Sequence, residues 1–356
     1  MTQARLKSGL GVRGDSLYCP LAFSLDTYWN CLTDCHHCFF RRLNRTWGQD
    51  LRPLDVEAFE KKLINGLKNK NPKTPLAHAI KTKRTLRIGS KADPLQDAED
   101  EWRVTRDALE VLNRLRWSYA IQTRFTSRLR SYEPIILGAV PSAVLIPYMS
   151  PGMERDWEVF ERKRTTPPAE RLRDMQHFAK KGLVVGMNGE PFIPGFHTVK
   201  DFENALKAIK AHGIRTYNTY NLHFNDHVAK RMHAIGIDIE KVWRMNQDRE
   251  WKKILPKLLD LGKKYDIHVG CPDFVNSGPG YVEKNNTCCG VNVARPCRFN
   301  THFWKRKLQK GEDPERILDR SWDGIGDFEQ GVQVMFDNSK DVFTMKDAGF
   351  KNKRRK

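Results

Sequence analysis

Short apolar runs alternate with longer amphipathic stretches as far as about residue 270. The runs at 21–27, 85–89, 119–124, 143–149, 183–188 and 217–224 are too short for buried helices and read as strands covered on both faces. Between them, AEDEWRVTRDALEVLNRL, PPAERLRDMQHFAKKG and VKDFENALKAIKAHG place apolar residues at helical spacing. The last two end in Gly182 and Gly213, which suit the left-handed residue that follows a helix. Strands alternating with helices of this length predict an α/β fold with a parallel sheet. Six such units predict a partial (β/α)6 barrel with its chemistry at the C-terminal ends of the strands. A further helix, WKKILPKLLDLGKKYD, precedes a short strand expected at 267–271. Beyond it the periodicity stops, and 275–300 is rich in Asn, Gly, Pro and Cys. The pattern divides the chain into a barrel with its N-terminal segment (1–265), a Cys-rich extension (266–311) and a C-terminal segment (312–356) ending in the basic tail KNKRRK.

Composition changes this picture in one respect. The chain has 356 residues, 39% hydrophobic and 29% charged, which is ordinary for a globular protein. No window is apolar enough to span a membrane, and the N-terminus lacks the apolar core of a secretory signal, so a cytoplasmic location is expected. The net charge, however, is +19 and the isoelectric point about 9.6. Lys and Arg in such excess predict a polyanionic partner, DNA first and RNA as the alternative.

Seven of the eight cysteines fall into two groups, with Cys19 standing apart. In a reducing compartment, clustered cysteines mark metal sites more often than disulfides. The first group lies in NCLTDCHHCFF, where Cys31, Cys35 and Cys38 form C-x3-C-x2-C just after the first predicted strand. Three thiolates on one loop can hold three irons of a cubane cluster and leave the fourth open to a small molecule. The alternative is zinc, with His36 or His37 as the fourth ligand.

That motif, at the end of a first barrel strand, resembles the radical S-adenosylmethionine (SAM) superfamily. Two further segments, GSKADPLQDAEDEWRVTRDALEVL and ERKRTTPPAERLRDMQHFAKKGLVVGMNGEPFIPG, resemble its spore photoproduct lyase-like branch. The similarity runs from about residue 19 to 225. It implies a radical SAM barrel whose [4Fe–4S] cluster binds SAM through the open iron. One electron, from a reductant such as a flavodoxin or ferredoxin, then cleaves SAM to a 5′-deoxyadenosyl radical. It also implies cofactor contacts from His37, Ser90, Asp93, Arg164, Asn188 and Glu190. The residues alone allow plainer readings: Asp93 before Pro94 fits a helix cap, and Arg164 sits in an exposed run of charges. His223 and His227, near the sixth strand end, could serve acid–base chemistry or be structural; no catalytic residue is assigned.

The second group comprises Cys271, the adjacent Cys288 and Cys289, and Cys297. A loop with so little apolar periodicity gains stability from a metal. The first reading is an auxiliary [4Fe–4S] cluster, the second is zinc, and the third is a thiol that takes part in the reaction. Next to it, Arg295, Arg298, Lys305 and Arg306 interleave with Phe299 and Trp304, a pattern that offers cations to phosphates and rings to unstacked bases. Lyases of the resembling branch use a catalytic Cys within the barrel, and this chain shows no clear counterpart. The expected function is therefore a radical SAM enzyme acting on a DNA base or a modified thymine side chain, with modification, as in bacteriophage base hypermodification, favoured over photolesion repair. A radical enzyme for peptides or small molecules and a non-catalytic zinc-stabilised DNA-binding protein are the alternatives.

Overall fold

Eleven short strands organise the residues described by the computed structural model, namely 5–12, 21, 23–40, 51–72, 75–81, 83–139 and 143–270. They are β1 (Leu10–Val12), β2 (Phe23–Leu25), β3 (Tyr28–Trp29), β4 (Arg52–Pro53), β5 (Leu86–Ile88), β6 (Tyr119–Ile121), β7 (Ala143–Leu145), β8 (Val184–Val185), β9 (Met187–Asn188), β10 (Thr216–Asn218) and β11 (His268–Gly270). One sheet has the order β1-β2-β5-β6-β7-β8, and a second has β11-β10-β9. Every pairing in them is parallel except that of β1, which runs antiparallel along the outer edge of β2.

The six predicted strands are present in the predicted order. The fifth is divided at Gly186, whose N–H donates to the Leu145 carbonyl at 2.8 Å. There the strand changes partner, β8 pairing with β7 and β9 with β10. The sixth ends earlier than its apolar run. After Asn218 its ladder gives way to a single bridge between Phe192 and Asn221. β11 adds a seventh parallel member, and among the described residues the array does not close into a barrel.

Helices of Pro168–Lys180 and Val199–Ala211 match the expected amphipathic segments. Gly182 and Gly213 follow them at φ +85° and +75°. The segment around residues 98–115 is not one helix. It breaks into Glu99–Trp102 and Val104–Arg114 at Arg103, which is left-handed (φ 49°). Glu99 explains the break, because its carboxylate accepts the backbone N–H groups of Thr105 (3.2 Å) and Arg106 (2.9 Å) and so caps the second helix.

Strand residues alternate between the two faces of the sheet, as the period of two requires. Tyr119, Ile121, Ala143 and Leu145 join the main core under the helices. Ala120, Val144 and Ile146 form a smaller cluster with Leu21 on the opposite face. Gly89 ends β5 at φ +88°, and a Cβ there would lie 2.2 Å from the Gln122 carbonyl oxygen. This close approach brings the ends of β5 and β6 together, where the candidate site begins.

Candidate active site

The loop carrying Cys31, Cys35 and Cys38 follows β2 and β3, in the connection between the two strands of the short β3–β4 ribbon. Asn30 and Asp34 take left-handed backbone conformations (φ 77° and 57°), which fold the loop back on itself. Gln96, fully buried, grips it on both sides of Cys31: its Nε2 donates to Asn30 O (3.0 Å), and its Oε1 accepts from Leu32 N (2.6 Å). His36 N donates to Phe160 O (2.9 Å). Asp34 binds Arg162 (3.1 Å) and Arg231 (2.8 Å), and Arg231 also donates to the Asp34 carbonyl. Elements following β5, β7 and β10 thus hold one loop that follows β2.

The segment after β5 supplies most of the support. Asp93 accepts from Leu95 N (3.0 Å), Thr123 Oγ1 (2.6 Å) and Arg124 N (2.7 Å), so both its carboxylate oxygens are engaged in shaping the strand ends. Burial nonetheless raises its pKa above the usual range. The proposed cap at Pro94 is a turn, and helix starts only at Glu99. Glu99 receives hydroxyl hydrogen bonds from Tyr28 and from Tyr132 (2.9 Å).

Arg124, at the end of β6, lies in the middle of the site. Its guanidinium lies over the Tyr148 ring (4.1 Å), pairs with Glu161 (3.1 Å) and donates to His37 Nε2 (3.2 Å). Glu161 also binds the buried Arg171 and Thr165. Despite its burial, these cations hold the Glu161 carboxyl down to about 2. Burial and the Arg124 charge lower His37 to about 3, so its imidazole is neutral. Arg171 further donates to the carbonyls of Thr166 and Tyr148, both at 2.6 Å.

The remaining expected site residues are spread along the strand ends. Asn188 and Glu190 come together with Asn218: Asn188 Oδ1 accepts from Glu190 N (2.9 Å) and Asn218 Nδ2 (3.2 Å), and the latter also donates to Glu190 Oε1 (2.9 Å). Ser90 Oγ is buried with no hydrogen-bond partner. Arg164 is exposed, with its guanidinium 3.4 Å from the Leu32 carbonyl. The His223 ring lies against Phe39 (centroids 4.4 Å) and Tyr220 (5.0 Å), whereas His227 lies on the helix Asp226–His233. His197, absent from the expectations, pairs with Asp156 at 2.8 Å inside the protein, where its Nδ1 accepts from Ile193 N. Cys19, Cys271, Cys288, Cys289 and Cys297, with Arg295, Arg298, Phe299, Trp304, Lys305 and Arg306, lie outside the described residues.

The donor set suits an iron–sulfur cluster. Burial pushes the Cys31 thiol up to about 11, and burial pushes Cys35 higher still, opposed by the Arg124 charge. The neighbouring thiols Cys31 and Cys38 also raise Cys35, so its thiolate is disfavoured when no metal is bound. A multiply charged metal centre removes that cost, since coordination deprotonates thiols. Among the described residues no three His, Cys, Asp or Glu side chains converge as ligands of one metal ion. A cubane needs no such convergence, because its thiolates bind separate irons. The zinc alternative also loses a candidate ligand atom, because Arg124 occupies His37 Nε2. Buried polar atoms without partners at Ser90 Oγ, Asn218 Oδ1 and Thr219 Oγ1 leave hydrogen-bonding capacity at the strand ends for a polar cofactor.

No protein-family model matches the sequence, and no curated protein matches it significantly. Solved structures do match the fold. A spore photoproduct lyase mutant superposes with a TM-score of 0.54 at 11% identity, over 73% of this chain and 79% of the lyase. Spore photoproduct lyase complexed with a dinucleoside spore photoproduct gives 0.53 at 10% identity, over 70% and 76%. Streptococcus suis SuiB bound to S-adenosylmethionine gives 0.51 at 9% identity, over 72% of this chain and 52% of SuiB. The chain shares its fold with spore photoproduct lyase and SuiB. In this fold the three-cysteine loop follows the first strand of the parallel array, and the polar side chains described above gather at the same strand ends.

Proposed function

We propose that this chain is a radical SAM enzyme whose cluster is held by Cys31, Cys35 and Cys38 and whose substrate is a DNA base or a modified thymine side chain. The observation that carries the reading is the clamped loop itself: three thiols at the end of the first strand of the parallel array, fixed by Gln96, Arg162 and Arg231. A bound [4Fe–4S] cluster with SAM supplies a 5′-deoxyadenosyl radical able to abstract hydrogen. This chain's own residues provide the setting. Gln96 orients the loop, Asp93 holds the ends of β5 and β6, and Asn188, Glu190 and Asn218 present a polar patch for the cofactor's hydroxyl, amino or carboxylate groups.

The DNA assignment rests on the +19 charge and on the basic–aromatic segment at 295–306. Modification is favoured over repair because no cysteine beyond the three ligands is found in the described barrel. The auxiliary cluster at Cys271, Cys288, Cys289 and Cys297 is part of the same proposal.

The test is anaerobic reconstitution with iron and sulfide, followed by dithionite and SAM. 5′-Deoxyadenosine is measured without substrate, with plain duplex DNA and with DNA carrying modified thymines. Formation stimulated by one DNA supports the full reading. Formation indifferent to DNA removes the substrate assignment in favour of a peptide or small molecule. An iron-replete protein that never cleaves SAM overturns the enzyme assignment.

A further inference from the structure

The contact between Arg124 and His37 fixes more than a position. Arg124 Nη2 and His37 Nε2 are 3.2 Å apart, and a guanidinium has donors but no acceptor. Nε2 must therefore be the bare nitrogen of the imidazole, which places the single proton of the neutral ring on Nδ1. His37 is only 6% exposed, and its Nδ1 has no partner within the protein. Buried donors are nearly always paired. This one belongs to the residue just before Cys38 and two after Cys35, so it lies within the thiol loop.

Arg124 is itself held firmly. Tyr148 stacks on its guanidinium, Glu161 accepts from its Nε, and Asp93 accepts from its backbone N–H. The Phe160 ring meets the imidazole edge-on, with centroids 5.6 Å apart. Arg124 at Nε2 and Phe160 against the ring therefore restrain the imidazole.

We propose that Arg124 and His37 form a relay that sets the reduction potential of the cluster: Arg124 fixes the tautomer, and His37 Nδ1–H donates to a cluster sulfur. The proposal rests on the reading of Cys31, Cys35 and Cys38 as cluster ligands. Reduction adds one electron to the cluster, and a hydrogen-bond donor with a cation behind it favours the more negative state. Both residues are positioning groups in this role and touch no substrate.

The experiment compares the full chain with Arg124→Gln, Arg124→Lys, His37→Phe and the Arg124→Gln/His37→Phe double variant. Each is reconstituted without oxygen and assayed for iron. The electron paramagnetic resonance signal of the reduced cluster is then followed through a redox titration. Arg124→Gln and His37→Phe should both shift the midpoint to more negative potential, and the double variant no further than the larger single shift. Arg124→Lys, which keeps a charge and a donor, should stay near wild type. Unchanged midpoints at full iron content overturn the proposal, and so does a lysine variant that shifts as far as the glutamine variant. Should Arg124→Gln fail to fold, His37→Phe decides the matter, because it leaves the Glu161 network intact. A wild-type chain that assembles no cluster is a separate result and removes the ligand assignment itself.

Discussion

Glu161 joins two arginines inside the protein, and its protonation state matters beyond the site. Its carboxyl, 3% exposed, is held at about 2 by Arg171 and Arg124 against the burial that raises it. An unfolded chain would show an ordinary value of about 4.3. The folded value is the lower one, so the contribution to stability is present above the unfolded value and is lost as pH falls towards 2. A shift of this size corresponds to roughly 3 kcal/mol. Glu161→Gln should lower stability at neutral pH by about 3 kcal/mol, the cost of leaving a buried charge without its partner. It should also flatten the decline in stability between pH 4.5 and 2, read by urea unfolding across a pH series. Parallel curves for variant and wild type would show that the pair contributes nothing. At the same scale, Gln96→Leu removes two hydrogen bonds, worth about 2 kcal/mol together. Iron content after gel filtration should drop, while the melting temperature falls by only a few degrees. Full iron retention would mean that the loop keeps its shape without Gln96.

Strands and helices show how far the sequence could be read. The apolar runs located the six strands, because burial on both faces leaves a signal in every residue. The helix break at Arg103 left no such signal: AEDEWRVTRDALEVLNRL keeps helical periodicity throughout, and the interruption comes from Glu99 capping the next helix. The three cysteines proposed as ligands stand out in the sequence because metal chemistry demands a spacing along the chain. Arg124, Gln96 and Arg231 were not, because their partners at the loop are distant in sequence and nothing local marks them. Two glycines test the reading at this scale. Gly89→Ala meets both a left-handed backbone and the Gln122 carbonyl at 2.2 Å, whereas Gly182→Ala meets only the backbone penalty, with nothing within 4 Å. Gly182→Ala should cost about 1–2 kcal/mol. Gly89→Ala should cost more and also reduce iron retention. Thermal melts and iron assays on both variants check the contrast, and equal losses would refute it.

For the whole molecule, the surplus of 62 Lys and Arg over 43 Asp and Glu predicts steeply salt-dependent binding to any nucleic acid. Affinity for duplex DNA should fall by orders of magnitude between low and physiological salt, measurable by fluorescence anisotropy. Replacing both Arg298 and Lys305 by Ala should weaken binding and make that slope shallower. An unaltered slope would place the phosphate path elsewhere. Cys31→Ala, Cys35→Ala and Cys38→Ala should each abolish SAM cleavage, and cleavage retained in any of them would refute the ligand assignment. Among the described residues no helix is long and apolar enough to cross a membrane.

The grip of Arg231 on Asp34 spans 197 residues of sequence. On a ribosome adding about 5–20 residues per second, roughly ten to forty seconds separate the synthesis of those two positions. For much of that interval the thiols of Cys31, Cys35 and Cys38 are outside the ribosome without the far side of their clamp. The nascent chain is thus open to oxygen and to competing metals before its loop is secured. Iron supply and oxygen tension during translation, more than conditions after purification, should decide how much of the protein is recovered in a form that can be loaded.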